Sequence, residues 1–416
     1  MIGLLRLWKE NRLEVEPESY FNKASDSSLY RHLLHQSVRN LSARDWLLAS
    51  LSERKVNKLD LELRAAFHLG ITQLETGSRV PVHAAVMETV QLMEWAKKGY
   101  LKGMLNALLR RYEREREQWT EQLQKEPLHR QTSHPKWLVQ GWEEQFGQGE
   151  AHNILKANQI PPNISLVLKP GIDKAAFSKY LEEEGMVRTT NPWILEQAQG
   201  LFDSSWFHEG AFFVQDMAAQ KVVRLLQDLP KTSWLDACAA PGGKLFLAEW
   251  LYGGDIEKLV GMDLAGGRMK RLEVNHQRLQ SKARLITGDA LNPEMEEDFE
   301  LILVDAPCSA TGTIRKYPEI KWTRSPEDFE RNQAEQLAIL KALSAKVKPG
   351  GHLVYVTCSL ERQENQDVAE KFLAAHGEFQ LRPLAAGEEI TTEGYFQALP
   401  SANQMGAFAA VFSRIN

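Results

Sequence analysis

Two of the chain's three cysteines lie at the ends of strand-like apolar runs, which makes them the first candidates for chemistry. Cys308 follows the run over residues 301–305, and Cys358 ends the run that begins at His352. Such runs are typical of buried parallel strands, whose carboxyl ends meet at one edge of a sheet. A thiol there can act as a nucleophile or transfer a proton. The alternative is that either cysteine is a small buried residue.

A glycine loop and several acids form a second group of candidates. The loop Cys238-Ala-Ala-Pro-Gly-Gly-Lys244 precedes a predicted helix, whose first N–H groups suit an anionic ligand. It lacks the three-glycine dinucleotide fingerprint and the Gly-Lys-Ser/Thr of a P-loop. Asp263 and Asp289 end the next two predicted strands, where carboxylates can contact a ribose and an adenine. Together with Asp305 these acids predict a nucleoside ligand, and S-adenosylmethionine fits this arrangement.

The elements that must position these residues alternate as strand, loop and helix. Strand-like segments lie at residues 233–238, 258–263, 283–289, 301–305 and 352–358. This order predicts an α/β domain with a doubly wound parallel sheet. Residues 26–126 show helical periodicity, and a short strand at 164–168 and a helix capped by Asp173 predict a small α/β module. We therefore predict three parts, at residues 1–130, 131–210 and 211–416.

Composition narrows the class of protein. The chain has 416 residues, 43% of them hydrophobic and 25% charged, and a net charge of −5, values typical of a globular protein. Three cysteines without a Cys-x-x-Cys pair favour neither a disulfide framework nor a metal site, so we expect no metal and a reducing, cytoplasmic location. Neither a signal peptide nor a membrane span is predicted.

The motifs together resemble those of the RNA cytosine-5 methyltransferases. The resemblance is carried by the glycine loop, by Asp263 with Arg268, by Asp289, and by three further stretches: Asp305-Ala-Pro-Cys-Ser-Ala-Thr-Gly312, Tyr317-Pro-Glu-Ile-Lys-Trp322, and Tyr355-Val-Thr-Cys-Ser-Leu360 with Glu364-Asn365. Within that family the chain is most similar to the bacterial Sun/Fmu (RsmB) type. Segments between Arg64 and Arg111 also resemble the helical NusB-type RNA-binding domain that such enzymes carry.

The resemblance implies a Rossmann-like class I methyltransferase domain preceded by a NusB-like domain and the small module. It implies methyl transfer from S-adenosylmethionine to carbon 5 of a cytosine in 16S ribosomal RNA, with naked RNA or a precursor particle as partner and a monomeric enzyme. In the implied mechanism Cys358 attacks carbon 6 of the base, Cys308 assists release, and Asp305 contacts the cytosine edge. The implied cofactor-binding residues are Cys238, Ala239, Ala240, Pro241, Gly242, Gly243, Lys244, Asp263, Arg268, Asp289 and Asp305.

Several alternatives stay open at this point. Transfer RNA is the alternative substrate for the same reaction. A non-catalytic RNA-binding assembly factor is a second class of function, and methylation of a protein or small molecule is a third. Lys244 either contacts the cofactor or only begins a helix, and Cys238 is expected to pack rather than react.

Other residues bear on RNA binding. Lys321 and Trp322 either touch RNA or occupy a surface loop. The chain departs from the family pattern at Leu166-Val-Leu168 and at Gln404-Met-Gly-Ala-Phe408. These departures weaken the prediction of how RNA is bound.

Overall fold

The computed structural model describes residues 1–11, 13, 24–76, 81–385 and 387–415. Their contacts define two compact units. One comprises Met1–Gln159 with Lys316–Arg324, and the other comprises Ile160–Arg315 with Ser325–Asn416. The three-part division made from the sequence stays a prediction. No helix in these described ranges is both long and apolar enough to cross a membrane.

The first unit is helical, as the periodicity of residues 26–126 predicts. In α6, for example, Leu105, Leu108, Leu109 and Tyr112 are buried, at the three- and four-residue spacing that lines one helix face. Its helices are α1 Ile2–Glu10, α2 Ala24–Arg39, α3 Leu41–Ser52, α4 Leu61–Thr76, α5 Val82–Trp95, α6 Lys102–Arg114, α7 Arg116–Gln124, α8 Leu128–Gln131 and α9 Lys136–Asn158.

The second unit begins with a small four-stranded sheet in the order β2-β3-β1-β4, whose pairs are antiparallel. Asp173 caps its longer helix as predicted, because its carboxylate accepts hydrogen bonds from the backbone N–H groups of Ala175 and Ala176. The elements are β1 Ile164–Leu168, α10 Lys174–Glu183, β2 Val187–Arg188, β3 Ile194–Gln197, α11 Ser205–His208 and β4 Phe212–Val214.

A large mixed sheet follows, in the order β10-β12-β9-β8-β5-β6-β7, with β11 paired to β12. The helices and strands of the chain after residue 216 are α12 Met217–Arg224, β5 Ser233–Asp236, α13 Gly243–Tyr252, β6 Lys258–Asp263, α14 Gly267–Leu279, β7 Arg284–Thr287, β8 Phe299–Asp305, α15 Ile320–Thr323, α16 Pro326–Ser344, β9 Val347–Thr357, α17 Gln366–Ala375, β10 Phe379–Leu381, β11 Phe396–Ala398 and β12 Ala407–Arg414.

The five predicted strands form the parallel part, from β9 to β7, and this confirms the Rossmann-like prediction. The sheet also contains three strands that the sequence did not predict, because β10, β11 and β12 add antiparallel pairs along the β9 edge. The run of Ala407 to Phe412 is apolar at every position, so β12 lacks the alternation that distinguishes an antiparallel edge from a buried core segment.

Strand β8 shows why its sequence is apolar without interruption. Leu301 and Leu303 pack into one hydrophobic layer, whereas Ile302 and Val304 pack into the layer on the opposite face. All four side chains are completely buried. Since successive side chains of a strand point to opposite faces, a strand covered on both faces needs an apolar residue at each position.

The segment Lys316–Arg324, which contains α15, belongs by its contacts to the helical unit. Lys321 is only 1% exposed, and its Nζ donates to the Arg39 carbonyl at 2.8 Å. Burial, with the charge of Arg39, lowers the pKa of Lys321 well below its usual range. The indole N–H of Trp322 donates to the Val38 carbonyl at 3.0 Å. The prediction that Lys321 touches RNA or lies in a surface loop is therefore wrong.

Candidate active site

The two thiols predicted from the strand ends face each other. Strands β8 and β9 are adjacent and parallel, with Asp305 in register with Val356, so both chains leave the sheet at the same edge. Cys308 and Cys358 follow, and their Sγ atoms lie 3.4 Å apart. Both cysteines are half-buried, which leaves them open to a reacting group from outside.

The two thiols have chemically distinct surroundings. A hydrogen bond with Cys358, burial, and the charges of Cys358 and Glu364 raise the pKa of Cys308 well above its usual value. Cys308 therefore holds its proton firmly. A thiol that keeps its proton beside a second thiol suits a division of labour between a proton carrier and a nucleophile.

Asp305 ends β8 and forms an ion pair with Lys244 on α13, with 2.6 Å between Nζ and Oδ2. Burial alone lowers the pKa of Lys244, but the neighbouring Asp305 and Asp236 raise it overall, so the lysine stays charged. The Asp305 side chain keeps 34% exposure, whereas that of Lys244 keeps 13%. Lys244 thus anchors the carboxylate and leaves part of it accessible.

The glycine loop is shaped by one steric requirement. Gly242 has a φ of +106°, and a Cβ there would lie 2.0 Å from the Phe246 ring, so only glycine fits. The Ala240 N–H donates to Asp263 Oδ2 at 2.8 Å, and Arg268 approaches the same oxygen at 3.5 Å. Asp263 is therefore a structural support of the loop as well as a candidate ligand group.

Asp289 lies beside a cleft of about 670 Å³. The carboxylate is exposed and accepts the Leu291 N–H at 2.9 Å. The cleft offers both apolar surface, from Met262 and Ile286, and polar groups; its lining consists of Met262, Arg284, Ile286, Thr287, Gly288, Asp289, Asn292, Glu294, Met295, Glu296 and Glu297. Such a mixture suits a planar heterocycle with polar edges.

The remaining predicted loop residues take supporting positions. Ala239 and Ala240 are buried, Pro241 is exposed, and Gly243 begins α13. Burial, together with the charge of Asp236, raises the pKa of the Cys238 thiol, so this thiol is a poor nucleophile. That result agrees with the expectation that Cys238 packs rather than reacts.

Sequence reasoning missed Asp236 and gave no role to Glu364. Asp236 ends β5, and its Oδ1 has no hydrogen-bond partner within the described part of the chain. Burial, reinforced by the charge of Asp305, raises the pKa of Asp236 to about 7. The signal that identified Asp263, an acid at a strand end, also marks Asp236. Glu364 is fully buried although nothing in its sequence neighbourhood indicates burial.

The two departures from the family pattern have structural roles. Leu166 lies in the core of the small sheet, so this position does not present a polar group to solvent. The Met405 N–H donates to both carboxylate oxygens of Asp216 at 3.1 Å, and Lys221 donates to Gln404 Oε1 at 2.8 Å. The segment from Gln404 is thus fixed by polar contacts within the second unit.

Comparison with known proteins decides the family. The family model described as "16S rRNA methyltransferase RsmB/F" matches residues 223–413, and the model of the NusB family matches residues 6–114. Ribosomal RNA small subunit methyltransferase B of Erwinia tasmaniensis is 33% identical over 375 residues, which cover 86% of this chain and 84% of the relative. The chain belongs to the RsmB/F family of 16S rRNA methyltransferases.

A second relative agrees with this RsmB/F assignment, and a solved structure shares the fold. Ribosomal RNA small subunit methyltransferase B of Pseudomonas putida is 36% identical over 364 residues, which cover 84% of this chain and 81% of the relative. The crystal structure of PH0851 has a TM-score of 0.77 at 24% identity and covers 99% of this chain and 97% of that chain. The RsmB/F member described here therefore shares its fold with a solved protein over nearly its whole length.

Proposed function

We propose that the protein transfers a methyl group from S-adenosylmethionine to carbon 5 of a cytosine in 16S ribosomal RNA, through a covalent bond between Cys358 and the base. The observation that carries this proposal is the 3.4 Å separation of the Cys308 and Cys358 sulfurs at two neighbouring strand ends. Methyl transfer to a nitrogen or oxygen needs no such pair of thiols. The substrate class follows from the relatives named as small subunit rRNA methyltransferases.

The residues at the sheet edge fit S-adenosylmethionine. Asp236 has an unpartnered, buried Oδ1 that suits a cationic group, and the cleft beside Asp289 has room for the adenine. Lys244, next to the glycine loop, and Asp263 would hold the charged end and the ribose. When bound, the cofactor supplies the electrophilic methyl group.

The protein's own residues supply the activation of the base. Carbon 5 of cytosine is a weak nucleophile, and addition of the Cys358 thiolate to carbon 6 makes it an enamine-like centre. Asp305, held by Lys244, accepts a hydrogen bond at the N3/N4 edge of the base and stabilises the charge that develops there as the thiolate adds. Once carbon 5 carries the methyl group, a base from solvent takes its proton and the double bond between carbons 5 and 6 re-forms. The bond from carbon 6 to the Cys358 sulfur breaks, and the Cys308 thiol assists by donating a hydrogen bond to the departing thiolate.

The helical unit is proposed to contribute RNA binding, in line with its match to the NusB family. We further propose a monomeric enzyme in the cytoplasm that takes the ribosomal RNA or its precursor particle. The proposal is tested by incubating the pure protein with labelled S-adenosylmethionine and 16S or transfer RNA, followed by bisulfite mapping of the modified position. If only transfer RNA is methylated, the proposed substrate is wrong. If neither RNA is methylated, the proposed activity is wrong.

Variants of the two cysteines test the mechanism. The Cys358→Ala protein is expected to lose methyl transfer, because no covalent adduct can form. The Cys308→Ala protein is expected to stay covalently attached to RNA, visible as a slowly migrating band on a denaturing gel. Retained turnover in Cys358→Ala would contradict the assigned roles.

A further inference from the structure

Glu364 is a completely buried carboxylate directly behind the two thiols. It lies at the end of the short turn Arg362–Glu364, seven residues after β9 ends at Thr357. Burying a carboxylate is costly unless its charge is satisfied by hydrogen bonds. Every donor that the described part of the chain brings to the Glu364 oxygens is a neutral group, as the next contacts show.

One oxygen of this carboxylate joins the two thiol loops. Glu364 Oε2 accepts a hydrogen bond from the Ser359 hydroxyl at 2.5 Å and a second from the Ser309 hydroxyl. These serines directly follow Cys358 and Cys308 in the chain, and both are at most 1% exposed. A single acceptor atom therefore holds the residue next to each thiol.

The other oxygen fixes the carboxylate itself. Glu364 Oε1 accepts from the Ser309 backbone N–H at 2.8 Å, from Asn332 Nδ2 at 2.8 Å and from Gln336 Nε2 at 3.4 Å. Gln336 also donates to the Pro307 carbonyl at 2.8 Å, one residue before Cys308. Helix α16 thus holds Glu364, and it also holds the backbone at Pro307, on the N-terminal side of Cys308.

We propose that Glu364 is a positioning residue that sets the separation of the Cys308 and Cys358 sulfurs. The proposal rests on the function proposed above, in which both thiols act on one pyrimidine. Each sulfur is one residue away from a serine held by Glu364, so rotation of either loop would move its sulfur away from the other. Hydrogen bonds to a charged acceptor are about twice as strong as neutral ones, which makes this junction stiffer than the other contacts between the loops.

The charge of Glu364 has a second effect on the pair. It adds to the contact with Cys358 and to burial in raising the pKa of Cys308. This effect favours the thiol form of Cys308 and makes it a proton carrier rather than a competing nucleophile.

The substitution Glu364→Gln tests this role, because it keeps the shape but replaces one acceptor oxygen by an amino group facing existing donors. The kcat for methyl transfer and the KM for RNA are measured, together with capture of phenylarsine oxide, a reagent that binds two adjacent thiols at once. Glu370→Gln is the matched control, since Glu370 is exposed on α17 and forms a surface ion pair with Arg362.

We expect kcat to fall about 100-fold, the typical cost of misplacing a reacting group by about 1 Å, with KM for RNA within about twofold of wild type. Arsenical capture should weaken at least about tenfold, and the control should match wild type. In a Cys358→Ala background, Glu364→Gln should lower the pH midpoint of Cys308 alkylation, because the charge of Glu364 favours the thiol form. A merely structural role would not move this midpoint.

Ser359→Ala is a second variant that removes one donor and leaves the carboxylate in place. Its kcat and arsenical capture should fall in the same direction but less. Unchanged capture and unchanged kcat in either soluble variant would overturn the proposal. Arsenical capture and alkylation need no RNA, so they test the positioning role of Glu364 even if the wild-type protein methylates neither RNA. Absence of methylation would overturn the proposed function but not the role of Glu364.

Discussion

The two halves of the candidate site lie along one sheet edge but are built from different interactions. At the ends of β5 and β6, Asp236, Asp263 and Lys244 form a charged group that continues to Asp305. Beyond β8 and β9, one buried carboxylate, Glu364, is surrounded by neutral hydroxyl and amide donors. The first half therefore depends mainly on ion pairs and charge, whereas the positions of the thiols in the second half depend mainly on hydrogen-bond geometry.

Under the proposed function, this difference separates cofactor binding from the covalent step. A small charged ligand is held by groups whose electrostatic fields extend over several ångströms and tolerate small shifts. A covalent step between a sulfur and a ring carbon tolerates much less displacement. Substitutions in the two halves should accordingly differ in kind, and four predictions use that difference.

The largest effect is expected for Asp305→Asn, which lies where the halves meet. The substitution removes the ion pair with Lys244 and the charge proposed to act on the base, so the single-turnover methylation rate should fall about 10²–10³-fold at saturating cofactor. Asp298→Asn, at an exposed position just before β8, is the control and should leave the rate unchanged. A rate within about threefold of wild type would show that Asp305 belongs to the cofactor half only.

Asp236→Asn should change the stability of the protein by an amount that depends on pH, and it should leave the geometry of the loop unchanged. The folded-state pKa of Asp236, about 7, lies above the ordinary value of 3.8, so ionisation costs folding free energy as the pH rises from about 4 to 7. The variant should therefore be more stable than wild type at pH 8, by roughly 2–4 kcal/mol, and the gain should vanish near pH 4.

Urea unfolding of both proteins at pH 4, 6 and 8 measures this difference. Asp255→Asn, an exposed position after α13, is the control. A gain that is the same at every pH would mean that removal of charge is not its cause.

Gly312→Ala perturbs the thiol half sterically. A Cβ at Gly312 would lie 2.7 Å from the Cys358 carbonyl oxygen and 2.8 Å from the Gly406 Cα. Since backbone must move to relieve this contact, we expect about a tenfold loss of kcat and about 1–2 kcal/mol of destabilisation, with unchanged cofactor affinity. Gly377→Ala, where the added Cβ meets nothing within 4 Å, provides the comparison. Weaker cofactor binding in Gly312→Ala would contradict the separation of the halves.

The smallest effect is expected outside both halves, at Asp173. Asp173→Ala removes the side chain that caps α10 and should cost about 1 kcal/mol of unfolding free energy. Methyl transfer at 25 °C should not change. Thermal unfolding and a methylation assay on the same preparation check both statements, and a large loss of activity would assign the small sheet a direct part in the reaction.

The fold and the thiols could be predicted because their signals are local. A strand covered on both faces must be apolar throughout, as β8 is, and its end is marked by the first polar residue, Asp305. Asp236 carried the same mark but lies two residues before the glycine loop Cys238–Lys244, to which the cofactor-binding role was assigned. Glu364 could not be assigned a role, since its burial depends on Ser309 and Asn332, which are distant in the chain.

Lys321 was misjudged for a related reason. A lysine next to a tryptophan in a polar stretch predicts exposure, because burial of an ammonium group is rare. Its burial depends on the Arg39 carbonyl, 282 positions earlier in the chain. Long-range contacts of this kind leave no pattern in the neighbouring residues.

The membership of Lys316–Arg324 in the helical unit has a consequence for how such a protein can be divided or recombined. A fragment ending at residue 159 would lack Trp322, which packs against the cluster that contains Leu34 and Val38. A gene fusion that exchanges the front of the chain at one junction would likewise separate these partners. The helical unit is thus built from two separate stretches of the chain, and transfer of the whole unit to another protein requires both stretches.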